Sequence, residues 1–287
     1  MRLSYYPGCS LLGTALDYDQ SVREICQKID IELVDIPDWN CCGASSAHMT
    51  DHEIGMRLPM RNLVQAMELG HDILVPCAAC FQRLKAADLE LRKNSAYWDV
   101  QDYSPDFKII HISTLLAEDQ VLKRLESQLV SDLSRLSVAC YYGCLSLRNP
   151  KITGAPMWEM PENLEKIISS LGAEPVSWSH RTECCSGSLT MARPDIAEKL
   201  VADIIAAARR AGATSMVTDC PMCQANVESR QQLEEAVEPM PVFFITELIS
   251  AAISGNYPEK QQKVHLVSPA VLANVFAAGG RKKEDSP

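Results

Sequence analysis

Short apolar runs alternate with longer amphipathic stretches along this chain. Residues 3–6, 31–36, 72–75 and 107–111 are brief, apolar and bounded by turn or charged residues, which predicts strands. Between them, residues 12–29 set Leu12, Leu16, Val22, Ile25, Cys26 and Ile29 on one helical stripe. Residues 52–69 read as a second helix, with Asp51 as N-cap and Gly70 as its stop. Beyond a charged, polar stretch around 122–136 the plan recurs. Strands are expected at 137–141, 174–177, 215–218 and 242–245, and helices at 162–171, 195–210 and 224–236. Strand–helix alternation of this kind implies parallel sheets with helices on their faces. The expected fold class is therefore α/β, with two pseudo-symmetric halves. Residues 1–125 and 135–287 are read as the two halves, joined by a linker at 126–134.

The cysteines carry the same duplication. Ten of the twelve repeat one pattern: a lone Cys, an adjacent pair, then Cys-x-x-Cys. The first copy is Cys9, Cys41-Cys42 and Cys77-x-x-Cys80; the second is Cys144, Cys184-Cys185 and Cys220-x-x-Cys223. Between the pair and the C-x-x-C stand 34 residues in each copy, 43–76 and 186–219. Flanking residues agree as well. Tyr5-Tyr6-Pro7-Gly8-Cys9 echoes Tyr141-Tyr142-Gly143-Cys144, and Cys41-Cys42-Gly43 echoes Cys184-Cys185-Ser186-Gly187. Cys9, Cys41-Cys42, Cys77, Cys144 and Cys220 each follow an expected strand. Carboxyl ends of parallel strands line one crevice, so each half should gather its five thiols there.

Composition limits what those thiols do. The 287 residues suffice for two cores, and 47% hydrophobic with 22% charged residues is ordinary for a globular protein. A formal charge of −10 argues against nucleic acid, and the basic tail Arg281-Lys282-Lys283 reads as a solvated end. The first residues lack an apolar signal region, and no run approaches the roughly 20 apolar residues of a membrane span. The cysteines are thus expected in a reducing cytoplasm, where metal binding is favoured over disulfides.

Zinc needs four thiolates, and five stand in each half. Adjacent cysteines diverge from neighbouring backbone positions, which suits a polynuclear iron–sulfur cluster better than one ion. Zinc stays open as the alternative, and a strained vicinal disulfide as a weaker one. Cys26, on a helical stripe, reads as core; Cys140, whose counterpart is Tyr5, ends a strand and is not expected to ligate.

At these residues the chain resembles the heterodisulfide reductase B subunits, a CCG-domain family. The likeness is carried by Tyr6-Pro7-Gly8-Cys9, by the run from Asp38 through Cys41-Cys42-Gly43 to His48, by Pro76-Cys77-x-x-Cys80 and by the second cysteine set. It implies two noncubane 4Fe-4S clusters, one on each five-Cys set. It also implies reduction, or reversible formation, of a disulfide between two small thiols, within a complex holding an iron–sulfur C-type subunit and a flavin-containing A-type subunit. Two clusters facing a cleft could each take one sulfur and supply one electron. The alternative is a CCG-type electron relay for a hydroxy-acid, glycerol-phosphate or quinone-linked oxidoreductase; a zinc-stabilised scaffold is a third reading.

The departure from the family pattern is Ser186, where glycine follows the pair in the first copy. His48 is a candidate proton donor beside a structural reading. Arg148, Arg181 and Arg193 are candidate contacts for an anionic substrate, or plain surface arginines. Asp219 and Pro221 are expected to shape the C-x-x-C turn. The apolar stretches 243–253 and 267–278 are candidates either for docking a partner or for core.

Overall fold

A computed structural model describes residues 1–44, 46–231 and 238–277. Its eight strands are β1 (Arg2–Tyr5), β2 (Glu32–Asp35), β3 (Ile73–Val75), β4 (Ile109–His111), β5 (Ser137–Tyr141), β6 (Glu174–Pro175), β7 (Ser215–Thr218) and β8 (Val242–Phe244). They form two four-stranded sheets, ordered β2-β1-β3-β4 and β6-β5-β7-β8, and every pairing is parallel. The expected α/β plan with two like halves is therefore what the chain adopts. Central strands β3 and β7 are buried at every residue; β3 accordingly reads as an unbroken apolar run, and β7 as Met216-Val217 between a buried serine and a buried threonine.

In each sheet the chain order reverses at the central pair, β1 beside β3 and β5 beside β7. Crevices open at such reversal points, outside the carboxyl ends of the two strands. Cys9 and Cys77 leave one of these points; Cys144 and Cys220 leave the other.

The halves are not separate beads. Helix Leu16–Lys28 of the first packs on helix Ile245–Ser254 of the second, where Tyr18 stacks on Phe244 at 4.0 Å and Ser21 meets Thr246 at 2.7 Å. The reciprocal contact sets helix Ile112–Leu116 against helix Asn163–Ser170. One continuous core includes Ile112, Leu115, Ile167, Phe244 and Leu248. Between the halves, helix Asp119–Gln128 leads into a segment whose Val130 and Ser131 amides donate to the Ala252 carbonyl; Leu125, Leu133 and Leu136 are buried.

Asp51 caps helix His52–Leu69 by accepting from the Ile54 amide at 2.8 Å, and Gly70 ends it with φ +65°, as expected. The stretch 12–29 departs from expectation. A short helix Gly8–Leu11 precedes it, its own helix starts only at Leu16 and ends at Lys28, and Leu12 and Leu16 are half exposed (51% and 50%). The buried face is Tyr18, Val22, Ile25 and Cys26; the turn at Gly13, whose amide donates to Ser10, rotates the early leucines outward. The helix expected at 224–236 begins earlier, at Pro221, and runs to Ser229; residues 232–236 lie outside the described residues, as does the tail 281–283. Helices Ala78–Asn94 and Ile245–Ser254 are further elements, hidden in the sequence by apolar residues without a clean stripe.

Candidate metal centre

The C-x-x-C motifs sit at helix starts. Cys77 is the N-cap of helix Ala78–Asn94, and Cys220 that of Pro221–Ser229, so Cys80 and Cys223 lie one turn further along. Pro221 takes the first helical position, as expected for a residue with no amide to satisfy. The lone cysteines each follow a glycine, Gly8 at φ +71° and Gly143 at φ +65°. A Cβ on Gly8 would lie 2.9 Å from Cys80 Sγ, and one on Gly143 would lie 2.8 Å from Cys223 Sγ. Glycine is thus required twice over, for backbone conformation and for room beside a thiol.

The Cys-Cys loops are tied back by tyrosine. Tyr6 donates to the Asn40 carbonyl, and Tyr141 to the Glu183 carbonyl, each at 2.7 Å and each onto the residue just before the pair. Asn62 adds bonds to Asn40 from helix His52–Leu69. After the first pair Gly43 has φ +74°; Ser186 occupies the same left-handed region at φ +63°. Its amide donates to Cys184 Sγ at 3.3 Å, as the Gly43 amide does to Cys41 Sγ at 3.4 Å. The serine therefore preserves the loop despite the strain, while its buried hydroxyl has no partner among the described residues.

The five thiols of each half come together. Cys9 and Cys41 are 3.7 Å apart, Cys42 and Cys80 3.2 Å, and Cys185 and Cys223 3.7 Å; Cys144 pairs with Cys184. Cys77 and Cys220 face each other across the seam, where Tyr18 bonds the residue before each, so the two sets adjoin. Hydrogen bonds among the thiols sort their acidities. Bonds from Cys41 and Cys80 hold Cys42 down to about 3, and the bond from Cys144 lowers Cys184 to about 6. Cys185 and Cys220 are also lowered by bonds from Cys223. The donors Cys41, Cys77, Cys80, Cys144 and Cys223 are raised by giving those bonds. Arg83, half-buried beside Cys42, adds positive charge there; a lone arginine within a helix gave no signal in the sequence.

Soft sulfur donors alone fill both sets, which fits iron–sulfur or zinc chemistry and not a hard cation. Among the described residues no three ligating side chains surround a single ion position. Thiols grouped in pairs match a polynuclear group, whose metals share the ligands, better than one tetrahedral ion.

The remaining candidates separate. Cys26 is core, and Cys140 lies within β5 with its thiol raised by burial; neither joins a set. His48 is held by the Gly43 carbonyl at 3.3 Å from Nδ1, on the rim of the first set. Arg148 reaches Glu183 beside the second set, whereas Arg181 pairs with Glu165 and Arg193 with Asp195. Asp219 does not shape a turn by its side chain. Its carboxylate is fully buried, with Oδ2 3.3 Å from His111 Nδ1, and its backbone carbonyl accepts from Tyr18 at 3.1 Å. Tyr18 also donates to Pro76, so one hydroxyl braces both C-x-x-C entries. The stretch 243–252 is core, which removes it as a docking surface; Val267, Leu272 and Val275 are buried, and Ala278 lies outside the described residues. Among the described residues no helix is long and apolar enough to cross a membrane.

Comparison with known proteins agrees with this duplication. The chain is 29% identical over 263 residues to the membrane anchor subunit of the 8-methylmenaquinol:fumarate reductase of Wolinella succinogenes, covering 88% of this chain and 92% of that one. It is 26% identical over 242 residues to the B subunit of the ferredoxin/F420H2-dependent CoB-CoM heterodisulfide reductase of Methanosarcina acetivorans, covering 80% of each. A hypothetical protein from Helicobacter pylori, known from its crystal structure, shares the fold with a TM-score of 0.68 at 10% identity; the match takes in 93% of this chain and 52% of that one. The CCG cysteine-rich domain matches twice, at residues 3–85 and 138–228, and the chain belongs to that family.

Proposed function

We propose that the chain is the iron–sulfur subunit of a heterodisulfide reductase-like complex, with two noncubane 4Fe-4S clusters and a disulfide of two small thiols as substrate. Residues 1–125 and 135–287 form the two cluster-binding halves, with 126–134 joining them. The ligands are Cys9, Cys41, Cys42, Cys77 and Cys80 in the first half, and Cys144, Cys184, Cys185, Cys220 and Cys223 in the second. The observation that carries this reading is the meeting of ten thiols in two equivalent sets that adjoin at Cys77 and Cys220. When bound, such clusters supply single electrons and a Lewis-acidic iron. The protein's part is geometric. Gly8 and Gly143 leave room for the C-x-x-C thiols, Tyr6 and Tyr141 fix the Cys-Cys loops, and Tyr18 holds the two C-x-x-C entries together. Cys77 and Cys220 are buried and packed, so a substrate approaches from the opposite side of each set, where Cys9 is exposed and Cys41, Cys144 and Cys184 are partly so. His48 stands on that rim of the first set as a proton donor. Electrons arrive from a C-type iron–sulfur subunit, itself supplied by a flavin-containing A-type subunit.

A second reading rests on the 29% identity to a quinol:fumarate reductase subunit over nearly its full length, and on the packed Cys77–Cys220 contact. Here the chain relays electrons between a quinol and a partner and touches no disulfide. Iron, acid-labile sulfide and zinc per chain come first, on protein isolated without oxygen. About eight irons with matching sulfide are expected, and stoichiometric zinc without iron overturns both readings. Turnover of a small disulfide with a reduced dye then separates them. Cys41→Ala and Cys184→Ala should each lose one cluster and nearly all turnover. Full turnover with one cluster missing overturns the two-cluster mechanism, and no turnover with both clusters present favours the relay.

A further inference from the structure

Duplication creates two equivalent seams between the halves, and the chain finishes them differently. By strand register Phe244 and His111 are counterparts, since Thr218 pairs with Phe244 as Val75 pairs with His111. Gln224 and Phe81 are counterparts as the residues after Cys223 and Cys80. Phe244 and Gln224 line one seam cavity, of about 250 Å3, whose wall also includes Val264 and His265. His111 and Phe81 line the other, of about 520 Å3, within the range of small-molecule sites. In this second seam the opposite wall comes from Tyr142, Leu147, Ala155 and Met157.

At the matching positions one charge is reversed and the other is replaced by a hydroxyl. In the smaller seam His265 is gripped by Glu228 and Glu247, at 2.8 Å each. Glu228 lies five residues after Cys223, and Glu247 three after Phe244. The same offsets from Cys80 and His111 give Lys85 and Thr114, and both line the larger cavity. Where one seam offers two carboxylates to a cation, the other offers an ammonium and a hydroxyl. Lys108 and Lys166 also line this cavity, against Glu118 and Glu162. At the inner wall His111 is almost wholly buried, and its Nε2 has no hydrogen-bond partner among the described residues.

We propose that this cavity binds a small amphipathic anion, with a carboxylate or phosphate head on Lys85 and Thr114 and an apolar body against Phe81, Leu147 and Met157. The smaller seam shows the same architecture accepting a polar head between two side chains at these positions, there two carboxylates in place of the ammonium and hydroxyl. The cavity is a second site beside the thiols, and its occupancy does not depend on disulfide turnover. Its inner wall reaches them through His111 and Asp219, the residue before Cys220.

Isothermal titration of the full chain, isolated without oxygen, with octanoate, 1-octanol and inorganic phosphate tests this. Octanoate should bind once per chain, at least tenfold more tightly than either octanol or phosphate. Lys85→Glu should weaken octanoate tenfold or more, while Lys199→Glu, an equal charge change outside the cavity, should leave it unaltered. Ala155→Trp, which fills the cavity from its opposite wall, should abolish binding and serves if Lys85→Glu fails to fold. Equal affinity for octanoate and octanol, phosphate binding as tightly as octanoate, or unchanged binding in Lys85→Glu or Ala155→Trp would overturn the proposal. The readout is binding alone, so it stands or falls separately from the redox assignment.

Discussion

Gly8 faces Cys80 so closely that a single added methyl group would stand 2.9 Å from the Cys80 sulfur. The backbone at Gly8 is left-handed, with φ +71°, so alanine would meet a conformational cost and a clash at once. Gly143 repeats the relationship with Cys223. Gly8→Ala should therefore lower iron per chain to about half while leaving the second set loaded, and Gly143→Ala should do the converse. Metal and sulfide analysis of the two variants checks this; full iron in both would show that the glycines do not govern the sites.

Ser186 holds the left-handed conformation that glycine holds in the first copy. Relieving it, and removing a buried hydroxyl without a partner, outweighs the extra freedom given to the unfolded chain. Ser186→Gly should raise unfolding stability by about 0.5–1 kcal/mol with metal content unchanged. Denaturant midpoints at fixed metal loading are the measurement.

His265 anchors residues 257–266 to the second half. Burial alone would favour its neutral form, but bonds to Glu228 and Glu247 together outweigh this and raise it to about 10. Because the folded value exceeds the unfolded value near 6.5, the stabilisation is complete below that pH. It should be lost progressively as pH rises towards 10. His265→Ala, which leaves two buried carboxylates facing each other, should cost about 3–5 kcal/mol near neutrality and much less above pH 10. Unfolding free energies of both proteins between pH 6 and 10.5 should converge; parallel curves would remove the imidazolium from the account.

Tyr18 donates one hydroxyl to the carbonyls of both Pro76 and Asp219. Tyr18→Phe keeps the stack on Phe244 and leaves two buried carbonyls short of a donor, at a cost of about 1–3 kcal/mol. If the hydroxyl also holds Cys77 against Cys220, electronic coupling between the two metal centres should weaken in the variant. Paramagnetic resonance of the half-reduced protein would report it, and an unaltered spectrum would confine Tyr18 to stability.

Much of this was legible without coordinates, because the repeat exposed its own logic. The interval of 34 residues located equivalent loops, and short runs such as 73–75 and 215–218 located the strands before them. Parallel topology then required the thiols to gather at the strand ends, since chain reversals in such sheets fall there. Asp51 and Gly70 marked a helix because capping is a local matter of a few dihedral angles and one hydrogen bond.

What the sequence left undecided were relationships between residues far apart along the chain. Leu12 and Leu16 fitted the apolar stripe of a continuous helix, but a turn at Gly13 put them in solvent. Asp219 read as a turn residue until folding set it against His111, more than a hundred positions earlier. The approach of Cys77 to Cys220, the brace of Tyr18 and the different side chains that line the two seams arise only when one half packs on the other. Local pattern determined the elements and the ligand type, because each is set by near neighbours. Tertiary structure alone decided which thiols touch and which seam stays open, because both depend on the shared core that joins the two copies.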